Sequence, residues 1–305
     1  MPMTQDDNLY AGGRTLNLSA EAFGELRSSA DASGDYAVLS DRLTEDGYVF
    51  IPGFFDRKEI VRIRESLTNQ LAADGSLDPR FPPIEAIARP DLEMGFRPDI
   101  ANGNEVLESL LYGPQLISWF AGVLGGAIRH YDFTWLRAVA PGHGTSPHCD
   151  IVYMGRGTTN LCTAWIPMGD VPLHVGGLII LEGSNKLCDL RNSYGKLDVD
   201  VACDNQPDAR NQVEARGFHE SGAIDTDAVA LRERLGGRWL TAEYQMGDLL
   251  VFGMYTIHAS LDNNSREIRL SSDSRYQLAA DPVDERWVGE NPVGHGPNAK
   301  RSLIC

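Results

Sequence analysis

"LVFGMYTIHASLDNNSREIRLSSDSRY", residues 250–276, reads as two apolar, β-rich runs on either side of a cluster of turn residues. Asp262, Asn263, Asn264 and Ser265 are hairpin chemistry, because Asn and Asp tolerate left-handed backbone and hydrogen-bond their own main chain. If Asn263 and Asn264 centre the turn, His258 on the first run faces Arg269 on the second. Opposed residues on antiparallel strands share a face, so Thr256, His258 and Ser260 are expected beside Arg269 and Ser271. An arginine buried on such a ribbon is costly unless an anion neutralises it, so the pairing asks for a bound carboxylate.

A second polar feature lies upstream. In "SPHCDIVYMG", residues 146–155, a histidine and an aspartate stand two places apart inside what reads as a buried strand. Alternate strand residues point the same way, so His148 and Asp150 project together while Cys149 and Ile151 point to the other face. Two side chains do not close a metal site, and His258 supplies the missing third. Two histidines and one carboxylate with open coordination positions form the facial triad of non-haem iron(II) oxygenases, and the usual small acid beside it is 2-oxoglutarate.

The surrounding chain sets the fold class. Residues 47–55, "GYVFIPGFF", read as a strand, and Asp56 with Glu59 opens the amphipathic helix "RKEIVRIRESLTNQLAA". A second helical segment is expected over residues 104–125. After it come "IRHYDFTWLRAVAP", "TNLCTAWIPMG", "GGLIILEGS" and "GRWLTAEYQMGDLLVFGMYTIHASL", short β-rich runs cut by Gly, Pro, Asn and Asp. Helices first and short strands later predict a mainly β fold, a sandwich or barrel with helices outside it. Residues 1–40 read as an N-terminal arm. The polar tract 185–237 reads as a lid-like insert, long for a loop inside a compact domain.

Bulk properties narrow the function. A chain of 305 residues with 42% hydrophobic content suits one elaborated domain. A formal charge of −16 with no basic run argues against a nucleic-acid partner. No stretch has the length of apolar residues a membrane span needs, and the start lacks a secretory pattern. Five cysteines at irregular positions form neither a disulfide framework nor a zinc pair, so a reducing cytoplasm is expected.

The ordered set of "GYVFIPGFF", "HCD", "TAWIPMGD", "GGLIILEGS" and "GDLLVFGMYTIHAS", with Arg269 eleven residues after His258, resembles the phytanoyl-CoA dioxygenase (PhyH) type of iron(II)- and 2-oxoglutarate-dependent oxygenase. The resemblance implies a double-stranded β-helix, the cupin-like jelly roll, over residues 41–290, followed by a tail at 291–305. It implies His148, Asp150 and His258 on iron(II), Arg269 and Ser260 on the distal carboxylate of 2-oxoglutarate, and Trp165 lining the pocket. It further implies a dioxygenase that hydroxylates a small-molecule substrate with dioxygen, releases succinate and CO2, and is supported by ascorbate. Asp150 favours hydroxylation over halogenation, since related halogenases carry a small residue there.

Other residues receive plainer readings. His143 sits in "PGHGT" and reads as a loop residue, while His130, His174, His219 and His295 read as surface or satisfied histidines. Cys149 reads as core packing, and Trp165 can equally be plain core. Residues 82–103, "PPIEAIARPDLEMGFRPDIANG", are expected to shape the substrate pocket. Two other classes stay open: a jelly-roll binding module with a structural metal, and a non-catalytic interaction protein. The first leaves Arg269 without a purpose, the intact triad argues against both, and neither forms succinate.

Overall fold

Most sheet strands of the computed structural model, which describes residues 8–201 and 222–295, are buried on both faces. A six-stranded sheet carries β4 (Tyr48–Ile51), β10 (Leu249–Gly253), β7 (Cys162–Pro167), β12 (Arg269–Leu278) and β5 (Ile128–His130) in that order, with β6 (Trp135–Val139) also paired to β12. Facing it, a four-stranded sheet orders β11 (His258–Ser260), β8 (Leu178–Leu181), β9 (Trp239–Thr241) and β3 (Phe23–Glu25). Along the large sheet, Val49, Ile51, Ala164, Ile166, Val251 and Leu270 turn outward to the helices. Their neighbours Tyr48, Phe50, Trp165, Leu250 and Phe252 turn inward against Leu178, Ile180 and Leu240 of the small sheet. The result is the jelly roll with helices on one flank. No helix among the described residues is long and apolar enough to cross a membrane.

Helices α1 (Tyr36–Asp46), α2 (Arg57–Ala73), α3 (Pro98–Ala101), α4 (Glu105–Leu111) and α5 (Pro114–Leu124) cover the large sheet. The Asp56 side chain accepts from the Lys58 N–H, the expected cap of α2. The single helical segment expected over 104–125 is two helices. Gly113 N-caps a new helix with Pro114 in its first turn, where the missing proline N–H costs nothing. Gly47 ends α1 at φ 79°, and a Cβ there would lie 2.7 Å from Asn185 and 2.9 Å from Thr256 Oγ1. Its carbonyl accepts from the Thr256 hydroxyl, which ties the segment leading into β11.

Two local readings are corrected. Residues 146–155 do not form a strand: His148 makes an isolated antiparallel bridge with His258, and the chain then turns into the one-turn helix Ile151–Met154 with Asp150 at its N-cap. Nor does the turn at 262–265 make a hairpin. β11 pairs with β8, His258 opposite Ile180, whereas β12 pairs with β6 and β7 in the other sheet. The buried Asn263 decides this: its amide nitrogen donates to the carbonyls of Val139 and Glu267, which pins the connection where it crosses between sheets.

Residues 8–40 pack against the body instead of standing off as an arm. Leu9, Ala11, Leu16 and Phe23 are buried, β3 joins the small sheet beside β9, and Asp262 accepts from the N–H groups of Gly12 and Gly13. Of the insert expected over 185–237, residues 202–221 lie outside the described residues. Its described ends include the helices Cys188–Asn192 and Ala228–Leu235 and bury Tyr194, Ile224 and Leu231.

Candidate active site

His148, Asp150 and His258 converge where the two sheets meet, with one ligand atom from each lying within 4.8 Å of the others. All three are buried. The bridge between the two histidines sets their backbones side by side, and the rings stand 4.2 Å apart. Each imidazole is oriented from behind: His148 Nδ1 donates to the Ser146 carbonyl at 2.8 Å and His258 Nδ1 to the Thr256 carbonyl at 3.0 Å. That leaves both Nε2 lone pairs directed inward, 3.9 and 3.7 Å from Asp150 Oδ1.

The carboxylate is oriented as firmly. Asp150 Oδ2 accepts from the Thr163 hydroxyl and from Arg275 Nη2 at 3.1 Å, so Oδ1 alone faces the histidines. Burial would raise the Asp150 carboxyl, but Arg275, His258, His148 and Thr163 outweigh it and hold it below the ordinary carboxylate range. Burial, followed by His258, brings the His148 imidazole down to about 3, and burial chiefly lowers His258 as well. Two neutral imidazole nitrogens and one ionised oxygen are a donor set that fits iron(II).

Arg269, Ser260 and Trp165 line a narrow cavity that reaches His148 and His258. Arg269 is 3% exposed, its Nε has no hydrogen-bond partner, and it forms no ion pair among the described residues. Burial pushes it down to about 10, with Asp273 the main influence in the other direction, so it is still a cation at neutral pH. Ser260 Oγ accepts from the Thr145 N–H at 2.8 Å, which leaves its own proton to donate. A buried cation lacking a hydrogen-bonded anion, beside a free hydroxyl, fits a carboxylate cosubstrate. Trp165 both lines this cavity and packs in the core between the sheets.

A wider cavity of about 590 Å³ opens on the other side of His148 and Asp150. Met94 and Phe96, from the segment expected to shape the pocket, form part of its wall. His143 and His295, read above as loop and surface residues, line it too, and His295 is held 2.8 Å from Asp200. Sequence reading passed over Thr163, Asp273 and Arg137. The signal for Asp273 was the alternation itself: Arg269, Ser271, Asp273 and Arg275 are every second residue of one strand, a polar row that only a site would bury.

The family model for phytanoyl-CoA dioxygenase (PhyH) matches residues 43–271. The chain belongs to the phytanoyl-CoA dioxygenase family. It is thus an iron(II)- and 2-oxoglutarate-dependent dioxygenase. Among curated relatives, the 1-deoxypentalenic acid 11-beta-hydroxylase of Streptomyces exfoliatus is 24% identical over 270 residues, covering 81% of this phytanoyl-CoA dioxygenase family member and 82% of the relative. Among solved structures, EctD from S. alaskensis in its apo form aligns with a TM-score of 0.57 at 16% identity, over 98% of this chain and 97% of the other. The non-haem α-ketoglutarate-dependent epimerase SnoN from nogalamycin biosynthesis aligns at 0.55 and 19% identity, over 86% and 93%.

Proposed function

We propose that this dioxygenase holds iron(II) through His148, Asp150 and His258, anchors the distal carboxylate of 2-oxoglutarate on Arg269 and Ser260 beside Trp165, and hydroxylates a small organic substrate held in the wider cavity. The observation that carries the reading is Arg269: a buried guanidinium with no ion pair among the described residues, on the same cavity as the two histidines. Bound iron and 2-oxoglutarate supply the oxidising chemistry, in which dioxygen is consumed and succinate and CO2 are released. The chain's own residues orient and exclude. Thr163 and Arg275 hold Asp150 Oδ2, so that one oxygen points at the histidines. Phe252 and Trp165 close the cosubstrate cavity with apolar surface, which strengthens the charge pairing at Arg269.

The 1-deoxypentalenic acid 11-beta-hydroxylase among the relatives supports an organic acid as the substrate. The free cysteines Cys149, Cys162 and Cys188 support a reducing cytoplasm as the place of action. The test is a panel of candidate metabolites scored for succinate formation with iron(II), 2-oxoglutarate and ascorbate. Stoichiometric hydroxylated product and succinate support the reading. Absence of 2-oxoglutarate binding to the metal-loaded protein would overturn it.

A further inference from the structure

Arg137, on β6, lines both cavities. Its Nε donates to Asp273 Oδ2 at 2.9 Å, but neither terminal nitrogen makes a hydrogen bond among the described residues. The side chain is 28% exposed and lies 5.7 Å from the Phe96 ring, at the wall of the wider cavity. A guanidinium anchored by Nε with its terminal fork open is arranged to receive a planar anion with two oxygens.

Local charge supports the same ligand. Asp273 is shared: it pairs with Arg137, lies 3.8 Å from Arg275 Nη1, and is the main attraction felt by Arg269. The other carboxylate in this wall, Asp150, is committed to Arg275 through Oδ2 and to the histidines through Oδ1. With Arg275 paired to Asp150, Arg137 and Arg269 share Asp273 as the one remaining carboxylate. With Arg269 answered by the distal carboxylate of 2-oxoglutarate as proposed, the open terminal fork of Arg137 is what remains to receive a second anion. Trp135 and Val139, the alternate residues on either side of Arg137 in its strand, line the same cavity with Met94, Phe96 and Met154, so Arg137 has an apolar flank in a wall that also carries His143, Thr145, Ser146, Tyr153 and His295.

We propose that Arg137 is a second carboxylate receptor, which binds the acid group of the prime substrate, and that the substrate is a carboxylic acid with an apolar body. This rests on the assignment of Arg269 to the cosubstrate, and it adds a specificity-determining residue that a polar residue alone would not provide.

The experiment compares naphthalene-2-carboxylate with naphthalene-2-carboxamide, which match in shape and differ in charge. Each is titrated into protein loaded with manganese(II) and 2-oxoglutarate, with binding read from tryptophan fluorescence, since Trp135 lines the cavity. The carboxylate is expected to bind at least roughly tenfold more tightly, the worth of one charge-assisted pair. Arg137→Gln should erase that preference, Arg137→Lys should retain part of it, and 2-oxoglutarate affinity measured calorimetrically should stay within about threefold of wild type. Equal binding of the two probes by wild type, or no binding of either, overturns the proposal whatever the stability of the variants. A loss of 2-oxoglutarate affinity in Arg137→Gln with naphthoate preference intact overturns it too, since Arg137 would then serve the cosubstrate. The cosubstrate assignment fails separately, by unchanged 2-oxoglutarate affinity in Arg269→Ala.

Discussion

Thr163 and Arg275 are register partners across β7 and β12, and both donate to the same oxygen of Asp150. Asp150 caps a one-turn helix and has no strand neighbour to orient it, so its direction is set by these two donors. Arg275 is in turn seated 4.3 Å over the Trp135 ring and donates to the Asp273 carbonyl. The carboxylate is therefore held by the sheet opposite the one that bears His258.

Removing those donors should loosen the metal without touching a ligand. Thr163→Val is expected to weaken cobalt(II) binding to the apoprotein by roughly tenfold and Arg275→Met by up to about a hundredfold, the usual range for groups behind a ligand. Calorimetric titration gives the affinities, and the cobalt absorption spectrum reports whether the carboxylate has turned to bind through both oxygens. Wild-type affinity in both variants would show that Asp150 needs no clamp.

His148→Ala, Asp150→Ala and His258→Ala should each nearly abolish metal binding and turnover, because each deletes one of three protein donors. Dialysis against a chelator should likewise inactivate the wild type, with activity restored by iron(II). Any single variant that keeps full turnover would remove its residue from the metal site.

Arg269→Ala should act on the cosubstrate alone. Loss of a buried charge-assisted pair is worth about 2–3 kcal/mol, so the apparent KM for 2-oxoglutarate should rise roughly 30- to 150-fold while metal affinity changes little. Steady-state kinetics against 2-oxoglutarate, paired with the metal titration, separates the two effects. An unaltered KM would transfer the anchoring role to another cation.

Acid should destabilise the apoprotein earlier than its carboxylates require. Folded His148 titrates at about 3, whereas an unfolded imidazole titrates near 6.5. Above about pH 6.5 both states are neutral there and the stabilisation is complete; as pH falls from 6.5 towards 3, only the unfolded chain takes up the proton. Stability should then drop by up to about 1.4 kcal/mol per pH unit for this histidine. Denaturant melts of the apoprotein between pH 7 and 5 should show at least that slope, and His148→Gln should reduce it to the share left by His258.

Gly47→Ala should lower stability by about 2–4 kcal/mol, combining a left-handed backbone with a methyl group driven into Asn185 and Thr256. Because the Gly47 carbonyl also receives the Thr256 hydroxyl, two residues before His258, metal affinity should fall with stability. A thermal melt and a metal titration on the same sample check both.

Much of this architecture was legible because the strands are short β-rich runs set off by Gly, Pro, Asn and Asp. β7, β8, β10 and β12 each sit inside a run whose buried faces could be read from residue types alone, and Asp56 marked the start of α2. The triad was legible as well, but for a reason only partly right. His148 and Asp150 come together through a bridge and a helical turn, not through strand parity. His258 and Arg269 share an interior because their sheets face each other, not because they oppose on a ribbon. Local chemistry at Asn263 favours a turn in either case, and only its long-range bonds to Val139 and Glu267 select the crossing. Arg137 was hidden for a similar reason: its partner Asp273 is 136 positions away, and nothing nearby marks an arginine on a strand as half-paired.

The connection at 261–268 also acts as a ruler. On a hairpin tip, an extra residue would bulge into solvent and leave the ladder below unchanged. Here the segment spans from one sheet to the other and is stapled at Asn263, so its contour length fixes the gap between His258 and Arg269. If Arg269 anchors 2-oxoglutarate as proposed, that gap is part of the span the diacid has to cover. On that assignment, lengthening or shortening this one stretch of chain is expected to change the fit of the diacid while the contacting side chains stay the same.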